Sequence, residues 1–268
     1  MVAARLNVIS PPEWVLHAIP RPRLSLVIPA YNEEQRIGPS LEAVAAYLAE
    51  QSYPFEVIVA DDGSTDGTSG IAARFAADHD GFRLLALAHG GKAAAIRGGM
   101  RAASGEVVAF VDADLATPPS YLTVFLDRIE DGADVVIGSR EGAGSRRVGE
   151  PAYRHLMGRV FNRIVQLLLL PGIDDTQCGF KLFTRQAADA ILDRGRLYAG
   201  DETVVGARVT AFDVEMLVIA RRLGLRVDEV PVLWTYGEHS KVNPARDTLY
   251  NLRDIATVAW HAARRRYS

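Results

Sequence analysis

Four short apolar runs, each closing on acidic or glycine-rich residues and the first three each followed by a helix-like stretch, constrain this chain more than any other feature. Leu24–Ala30 (LSLVIPA) runs into Tyr31-Asn32-Glu33-Glu34, and Glu56–Ala60 (EVIVA) into Asp61-Asp62-Gly63-Ser64. Arg83–Ala88 runs into His89-Gly90-Gly91-Lys92, and Val107–Val111 (VVAFV) into Asp112-Ala113-Asp114. Runs this short and this apolar read as strands buried on both faces of a parallel sheet. Helical spacing over Ser40–Glu50, Thr65–His79 and Lys92–Ala103 fills the gaps, with Ser40 read as the N-cap of the first helix. The βαβαβαβ order predicts an α/β fold: a doubly wound, mostly parallel sheet that receives ligands at the carboxyl ends of its strands. The acidic clusters fall at those ends.

Beyond a fifth run, Asp134–Gly138, the alternation stops and the sequence turns basic and irregular. Residues 139–163 carry six arginines against two glutamates and lead into a helical stretch at Tyr153–Leu170. There Tyr153, Leu156, Met157, Val160, Phe161, Ile164 and Leu168 share one face, with Arg159, Asn162, Arg163 and Gln166 opposite. Two readings stay open: a helix lying in a bilayer interface, or one packed on the sheet. Its arginines argue against spanning. Arg194–Thr210 reads as a loop, Phe212–Leu223 as a helix, Arg226–Trp234 as a strand and Thr248–Arg266 as a basic amphipathic helix. The expected layout is an N-terminal extension (1–23), one catalytic domain (24–245) that includes the 153–170 helix, and a C-terminal helix (246–268).

Charge is distributed unevenly. The 268 residues carry 30 basic and 33 acidic side chains, net −3, yet the excess of acid lies before residue 139 and the excess of base after it. A near-neutral total argues against bulk nucleic-acid binding; the split suits a cation in the front half and anions in the back. The single cysteine, Cys178, excludes an intrachain disulfide and a zinc site built on several thiolates. The first twenty residues, interrupted by Pro11, Pro12, Glu13 and His17, read as neither signal peptide nor spanning helix, so the expected compartment is the cytoplasm.

Chemistry concentrates at the strand ends. Asp112 and Asp114 offer two hard oxygen donors where Mg²⁺ or Mn²⁺ could be held against a nucleotide's phosphates. Asp61 and Asp62 could accept hydrogen bonds from a base or ribose, while Ser64 and Asp66 suit capping of the next helix. His89-Gly90-Gly91-Lys92 supplies a turn, a helix start and a cation, the ingredients of a diphosphate contact, although the P-loop pattern is absent. Asp213 reads as the N-cap of the helix that follows it.

The segments VIPAYNEE, VADDGSTDGT, HGGKAAAIRGGM, VVAFVDADLAT, VVIGSR, DTQCGFKLF, FDVEML, EVPVLW and HSKV, in this order, resemble the GT-A glycosyltransferases of family 2. Within that family the chain is most similar to the dolichyl- and polyprenyl-phosphate sugar synthases, particularly their glucosyl-phosphate branch, over about Leu24 to Asp254. The resemblance implies a GT-A fold, with Pro29, Tyr31, Glu33, Asp61 and Asp62 at nucleotide-binding positions and Lys92 near the diphosphate. It makes Asp112 and Asp114 the metal pair, and places Arg140, Arg154, Lys181 and Lys241 at positions that hold the acceptor phosphate and donor diphosphate. Where some relatives carry a further glutamine ligand, this chain has Ala116. The resemblance also implies a catalytic carboxylate in the region of Asp213, as the other reading of that residue.

The implied activity is inverting, metal-dependent transfer of a hexose, glucose from UDP-glucose first, to a polyprenyl or dolichyl phosphate at the cytoplasmic membrane face, by a peripherally associated enzyme. A phosphate monoester, with a second pKa of about 6, needs no strong general base, so positioning and charge neutralisation dominate. Alternatives are mannosyl transfer from GDP-mannose, a family 2 enzyme with a soluble or polysaccharide hydroxyl acceptor, and a non-catalytic nucleotide-sugar-binding protein.

Overall fold

A computed structural model describes residues 21–198, 211–237 and 244–267. The sequence's alternation is realised as β1 (Leu24–Ala30), α1 (Ile37–Ala49), β2 (Phe55–Asp61), α2 (Thr68–Asp78), β3 (Phe82–Ala86), α3 (Lys92–Ala102) and β4 (Val107–Val111). Then come α4 (Tyr121–Glu130), β5 (Val135–Ser139), β6 (Arg146–Val148), α5 (Ala152–Leu168), β7 (Phe180–Thr184) and α6 (Arg185–Arg194). After residues 199–210, α7 (Phe212–Arg222), β8 (Val227–Pro231), β9 (Leu233–Thr235) and α8 (Pro244–Ala263) complete the chain. The seven-stranded sheet has the order β3-β2-β1-β4-β7-β5-β8, with β7 alone antiparallel to its neighbours among the described strands. The expected doubly wound, mostly parallel sheet is therefore present. Its two faces bury separate apolar clusters, one around Phe110, Ile137 and the α7 residues, the other around Ile28, Phe125 and Phe180.

Several sequence expectations are corrected by this packing. Ser40 is not the cap of α1: it lies inside the helix and its Oγ donates to the carbonyl of Ala113, 2.6 Å away, tying the helix to the turn between Asp112 and Asp114. The single strand expected over Arg226–Trp234 is two strands in different sheets. β8 ends on β5 at Pro231, Val232 N still donates to Ser139 O at 3.0 Å, and the chain then crosses to form β9 beside β6. Asp213 is the second residue of α7, whose N-cap position is Ala211, so the capping reading fails as well. The sequence reading assigned no element to β7, β6, α4 or α6. For α4 and α6 the pattern was there, since Leu122, Phe125, Leu126 and Ile129, and Ala187, Ala188, Ile191 and Leu192, are buried at helical spacing. Strand β7 was obscured by Lys181, a lysine as the second residue of its run.

Of the helix with two open readings, α5, the structure buries only Asn162 and Val165. The face carrying Tyr153, Leu156, Met157, Val160 and Leu168 is exposed, with Leu156 at 65% and neighbouring Leu167 at 70%. The helix packs on the body through Asn162, Val165 and the partly buried Phe161, and turns Tyr153, Leu156, Met157, Val160, Leu167 and Leu168 outward. No helix among the described residues is long and apolar enough to cross a membrane.

Candidate active site

The carboxyl ends of β1, β2 and β4 meet at one edge of the sheet. At the end of β1, Asn32 adopts φ 53°, a left-handed conformation that asparagine tolerates, and its Oδ1 accepts from Thr65 N at 2.8 Å. This joins the first acidic turn to the second. Glu33 is bound through its backbone N–H to Thr68 Oγ1 (2.7 Å) and through its carboxylate to Arg36 (2.5 Å). Pro29 is buried within β1, opposite Ala60 of β2.

Asp61 and Asp62 are both buried. Asp61 accepts from the hydroxyls of Ser64 and Ser69. Asp62 clamps the following strand's turn: its two oxygens accept from Gly90 N and Gly91 N, each at 2.8 Å, and Oδ2 also meets His89 Nδ1 at 2.8 Å. The amides that the sequence offered to a diphosphate are thus taken by a side chain. His89 in turn stacks on Tyr31, ring centroids 4.2 Å apart and 13° from parallel. Gly91, at φ 85°, then turns the chain into α3, and Lys92 is the first residue of that helix.

From there Lys92 reaches the acid pair, with Nζ 2.5 Å from Asp112 Oδ1. Burial opposes its charge, but Asp112, Asp213 and Asp114 together hold its ammonium above the usual lysine range. The Asp114 carboxyl is raised as well: burial, and then repulsion from Asp112, push it above the usual range. Two carboxylates two residues apart, one protonating more readily than it should, form a site that a divalent cation would relieve. Backbone shape preserves room for it. Gly179 lies so close that a Cβ there would fall 2.0 Å from Asp112 Oδ2, and Gly179's carbonyl accepts from Asp112 N at 3.1 Å. Leu115, immediately after the pair, is held at φ 46°, a strained conformation for a bulky residue. No group of three or more His, Cys, Asp or Glu side chains that could hold a metal exists among the described residues. The pair alone fits a hard cation whose remaining ligands are water and phosphate oxygens.

The back half of the chain reaches this edge through residues 233–237. Thr235 N donates to Ala116 O (2.8 Å), and a Cβ on Gly237 would lie 3.8 Å from Asp114 Oδ2. Arg154, at the start of α5, donates to Tyr236 Oη and lies over that ring, 5.2 Å from its centroid. Arg140 lies 5.4 Å from the Trp234 ring and is bound by Asp175 through its backbone N–H, Nε and Nη2 (2.9, 2.6 and 2.9 Å). Burial works against both charges of that pair, yet mutual attraction wins: Arg140 is held above and Asp175 below the usual range. Lys181 is fully enclosed and donates to Asp213 Oδ1 (2.7 Å) and Cys178 O (2.5 Å).

Of the sequence-derived residues, the structure brings Lys92, Asp112, Asp114, Lys181 and Asp213 into one charged group, and binds Arg154 to Tyr236. It commits Arg140 to Asp175. Lys241 and residues 199–210 of the expected loop lie outside the described residues. Sequence reasoning missed Gly179 and Asp175, and named His89 only as part of a turn, without its contacts to Asp62 and Tyr31. Gly179 sits inside DTQCGFKLF, where a glycine next to a strand signals close backbone approach.

Residues 25–192 match the profile of the family described as Glycosyl transferase family 2. A dolichyl-phosphate beta-glucosyltransferase of Drosophila melanogaster is 36% identical over 256 residues, covering 89% of this chain and 75% of that protein. The protein of the same name from Homo sapiens is 33% identical over 268 residues, covering 90% and 78%. Among solved structures, mannosyl-3-phosphoglycerate synthase from Rubrobacter xylanophilus superimposes with a TM-score of 0.64 at 17% identity, covering 91% of this chain and 75% of that one. Glucosyl-3-phosphoglycerate synthase from Mycobacterium tuberculosis, crystallised with Mn²⁺, UDP and glucosyl-3-phosphoglycerate, gives 0.56 at 18% identity, covering 90% and 77%. These likenesses carry the GT-A fold.

Proposed function

The chain belongs to glycosyltransferase family 2, and from that premise we propose that it transfers glucose, with inversion, from UDP-glucose to a polyprenyl or dolichyl phosphate while resting on a membrane surface. The observation that carries this reading is α5. At one end of the helix Arg154 is hydrogen-bonded to Tyr236, the residue before Gly237 at the acid pair, and the helix's outward face exposes an apolar stripe. An acceptor with a charged head and a greasy tail calls for that arrangement; a sugar hydroxyl acceptor does not.

In this reading Pro29, Tyr31, Glu33, Asp61 and Asp62 shape the nucleotide subsite, Asp62 by holding the 89–91 turn and the ring stack of His89 on Tyr31. Asp112 and Asp114 would hold Mg²⁺ or Mn²⁺, which when bound supplies positive charge to the leaving nucleoside diphosphate. Lys92 adds a fixed cation beside Asp112. Arg154 is placed to receive the acceptor phosphate, with Lys241 assigned the same role by resemblance. Arg140 and Lys181, each enclosed by its own carboxylate, act as positioning residues: Arg140 fixes the 139–147 turn, and Lys181 fixes Asp213 at the start of α7. The acceptor phosphate is already largely ionised near neutral pH, so alignment, rather than proton removal, is what these side chains contribute.

Thermal melting with Mn²⁺ and either UDP-glucose or GDP-mannose tests the donor. A ligand present at a hundred times its Kd stabilises by about 2.7 kcal/mol. A shift with UDP-glucose and none with GDP-mannose is expected, and the reverse would assign mannosyl transfer.

A further inference from the structure

Three helices border a groove of about 420 Å³ that the transfer chemistry leaves unused. Its walls are apolar: Leu168 at the end of α5, Leu169 just beyond it, Val218 of α7, and Ala259 and Ala262 of α8. Its charged lining residues, Arg221 and Arg222, stand at the last turn of α7. Arg221 donates to Pro171 O at 2.6 Å, whereas Arg222 is exposed and makes no hydrogen bond or ion pair among the described residues. Next to Ala259, Trp260 is 44% exposed, with the guanidinium groups of Arg264 and Arg266 only 4.5 and 4.4 Å from its ring centroid. Leu167 and Leu168 are exposed on the α5 side.

An apolar trough with two arginines at its side and an arginine-flanked tryptophan beside it matches an amphiphile with a phosphate head. That amphiphile is not the sugar acceptor. Helix α7 runs from Asp213, which is bound to Lys181 in the active site, to Arg222 at the groove, and nine residues of rise separate them by about 14 Å. A phosphate held by Arg221 and Arg222 is too far away to attack a sugar beside Asp112. We propose that the groove binds an anionic phospholipid of the bilayer, its phosphodiester against Arg221 and Arg222 and the upper part of an acyl chain along the apolar walls. The proposal rests on the bilayer-facing placement of α5 argued above, and adds to it a preference for anionic lipid.

The test is co-sedimentation of the full chain with vesicles of phosphatidylcholine alone and of phosphatidylcholine carrying about one part in four phosphatidylglycerol. Phosphatidylglycerol should strengthen binding. Arg222→Gln should reduce that gain about fivefold and Arg222→Glu should abolish it, with melting temperature and glucosyl transfer to a detergent-dispersed short polyprenyl phosphate unchanged. Because Arg222 is exposed and unpaired, neither variant threatens the fold. Equal binding to both vesicles, or an Arg222→Glu protein that keeps the gain, would overturn the proposal while leaving the membrane reading intact. Failure to bind either vesicle would overturn both. Stabilisation by inorganic phosphate alone to the same extent as by anionic vesicles would identify a free-anion site and refute the lipid. A dimer on gel filtration that Arg222→Glu dissociates, without effect on vesicle binding, would assign the groove to a second copy of this chain.

Discussion

Gly179→Ala isolates the acid pair's geometry from its chemistry, because it leaves every charged residue in place. The added methyl would fall 2.0 Å from Asp112 Oδ2 and 2.3 Å from its Cγ, so the carboxylate must retreat by about 1.4 Å to reach the 3.4 Å of ordinary contact. Retreat is possible, since the Asp112 side chain is about one-third exposed and can swing toward solvent. The stability cost should therefore stay near the lower end of the 1–3 kcal/mol typical of overpacking, about 1 kcal/mol, or roughly 2–4 °C in Tm. The catalytic cost should be far larger. Swinging Asp112 out breaks its 2.5 Å contact with Lys92 and separates it from Asp114, and a displacement of about 1 Å at a reacting centre costs on the order of 100-fold in rate. Glucosyl transfer measured beside a thermal melt, with Mn²⁺ titrated in both proteins, distinguishes the outcomes. A folded Gly179→Ala enzyme with wild-type rate and wild-type Mn²⁺ dependence would refute the idea that Asp112's position governs the site.

Other substitutions probe the supports of the site. Asp175→Asn leaves Arg140 buried without its counter-charge and should cost about 3–5 kcal/mol by denaturant unfolding. Because folding holds the Asp175 carboxyl below its ordinary range, the pair's contribution is fully present above the unfolded value near 4 and is lost as pH falls below it. The wild-type stability curve should accordingly bend downward in that acid window, and the Asn variant should lack that bend. Lys181→Met strands Asp213 and should also destabilise by a few kcal/mol; adding Asp213→Asn should restore most of the stability in a melt without restoring transfer. Leu156→Asp with Val160→Asp places charge on the exposed stripe of α5, so vesicle binding should fall by tenfold or more while Tm stays within about 2 °C. A large drop in Tm would mean that this face packs against protein.

The front half of the fold was legible because each strand there is a mostly apolar run, broken only near its start by Ser25, Glu56 or Arg83, and closes on acidic or glycine-rich residues. Val107–Val111 and Leu24–Ala30 have the bounds the sequence gives them. The rest was hidden for identifiable reasons. Strand β7 enters the sheet antiparallel with a lysine as its second residue, and the pairing of Lys181 with Asp213 and the Cys178 carbonyl makes that lysine compatible with burial. Ser40 has the right chemistry for a cap, but its partner is Ala113, 73 residues away, which no local pattern encodes. The candidate site divides in the same way. Asp112, Asp114 and Lys92 could be named from position alone, whereas the commitment of Arg140 to Asp175 and of Asp62 to the 89–91 turn depends on contacts between distant segments. For α5, amphipathicity was plain in the sequence, but which face met the protein was decided by Asn162 and Val165 packing inward.

The most direct test is to incubate the enzyme with UDP-glucose labelled in the sugar, a polyprenyl phosphate and Mn²⁺, and then to extract with organic solvent. Label should pass into the organic phase as a glycolipid, and should fail to do so with EDTA or with Asp114→Ala. Label that stays wholly in water-soluble or polymeric product, with the lipid phosphate unmodified, would contradict the assignment.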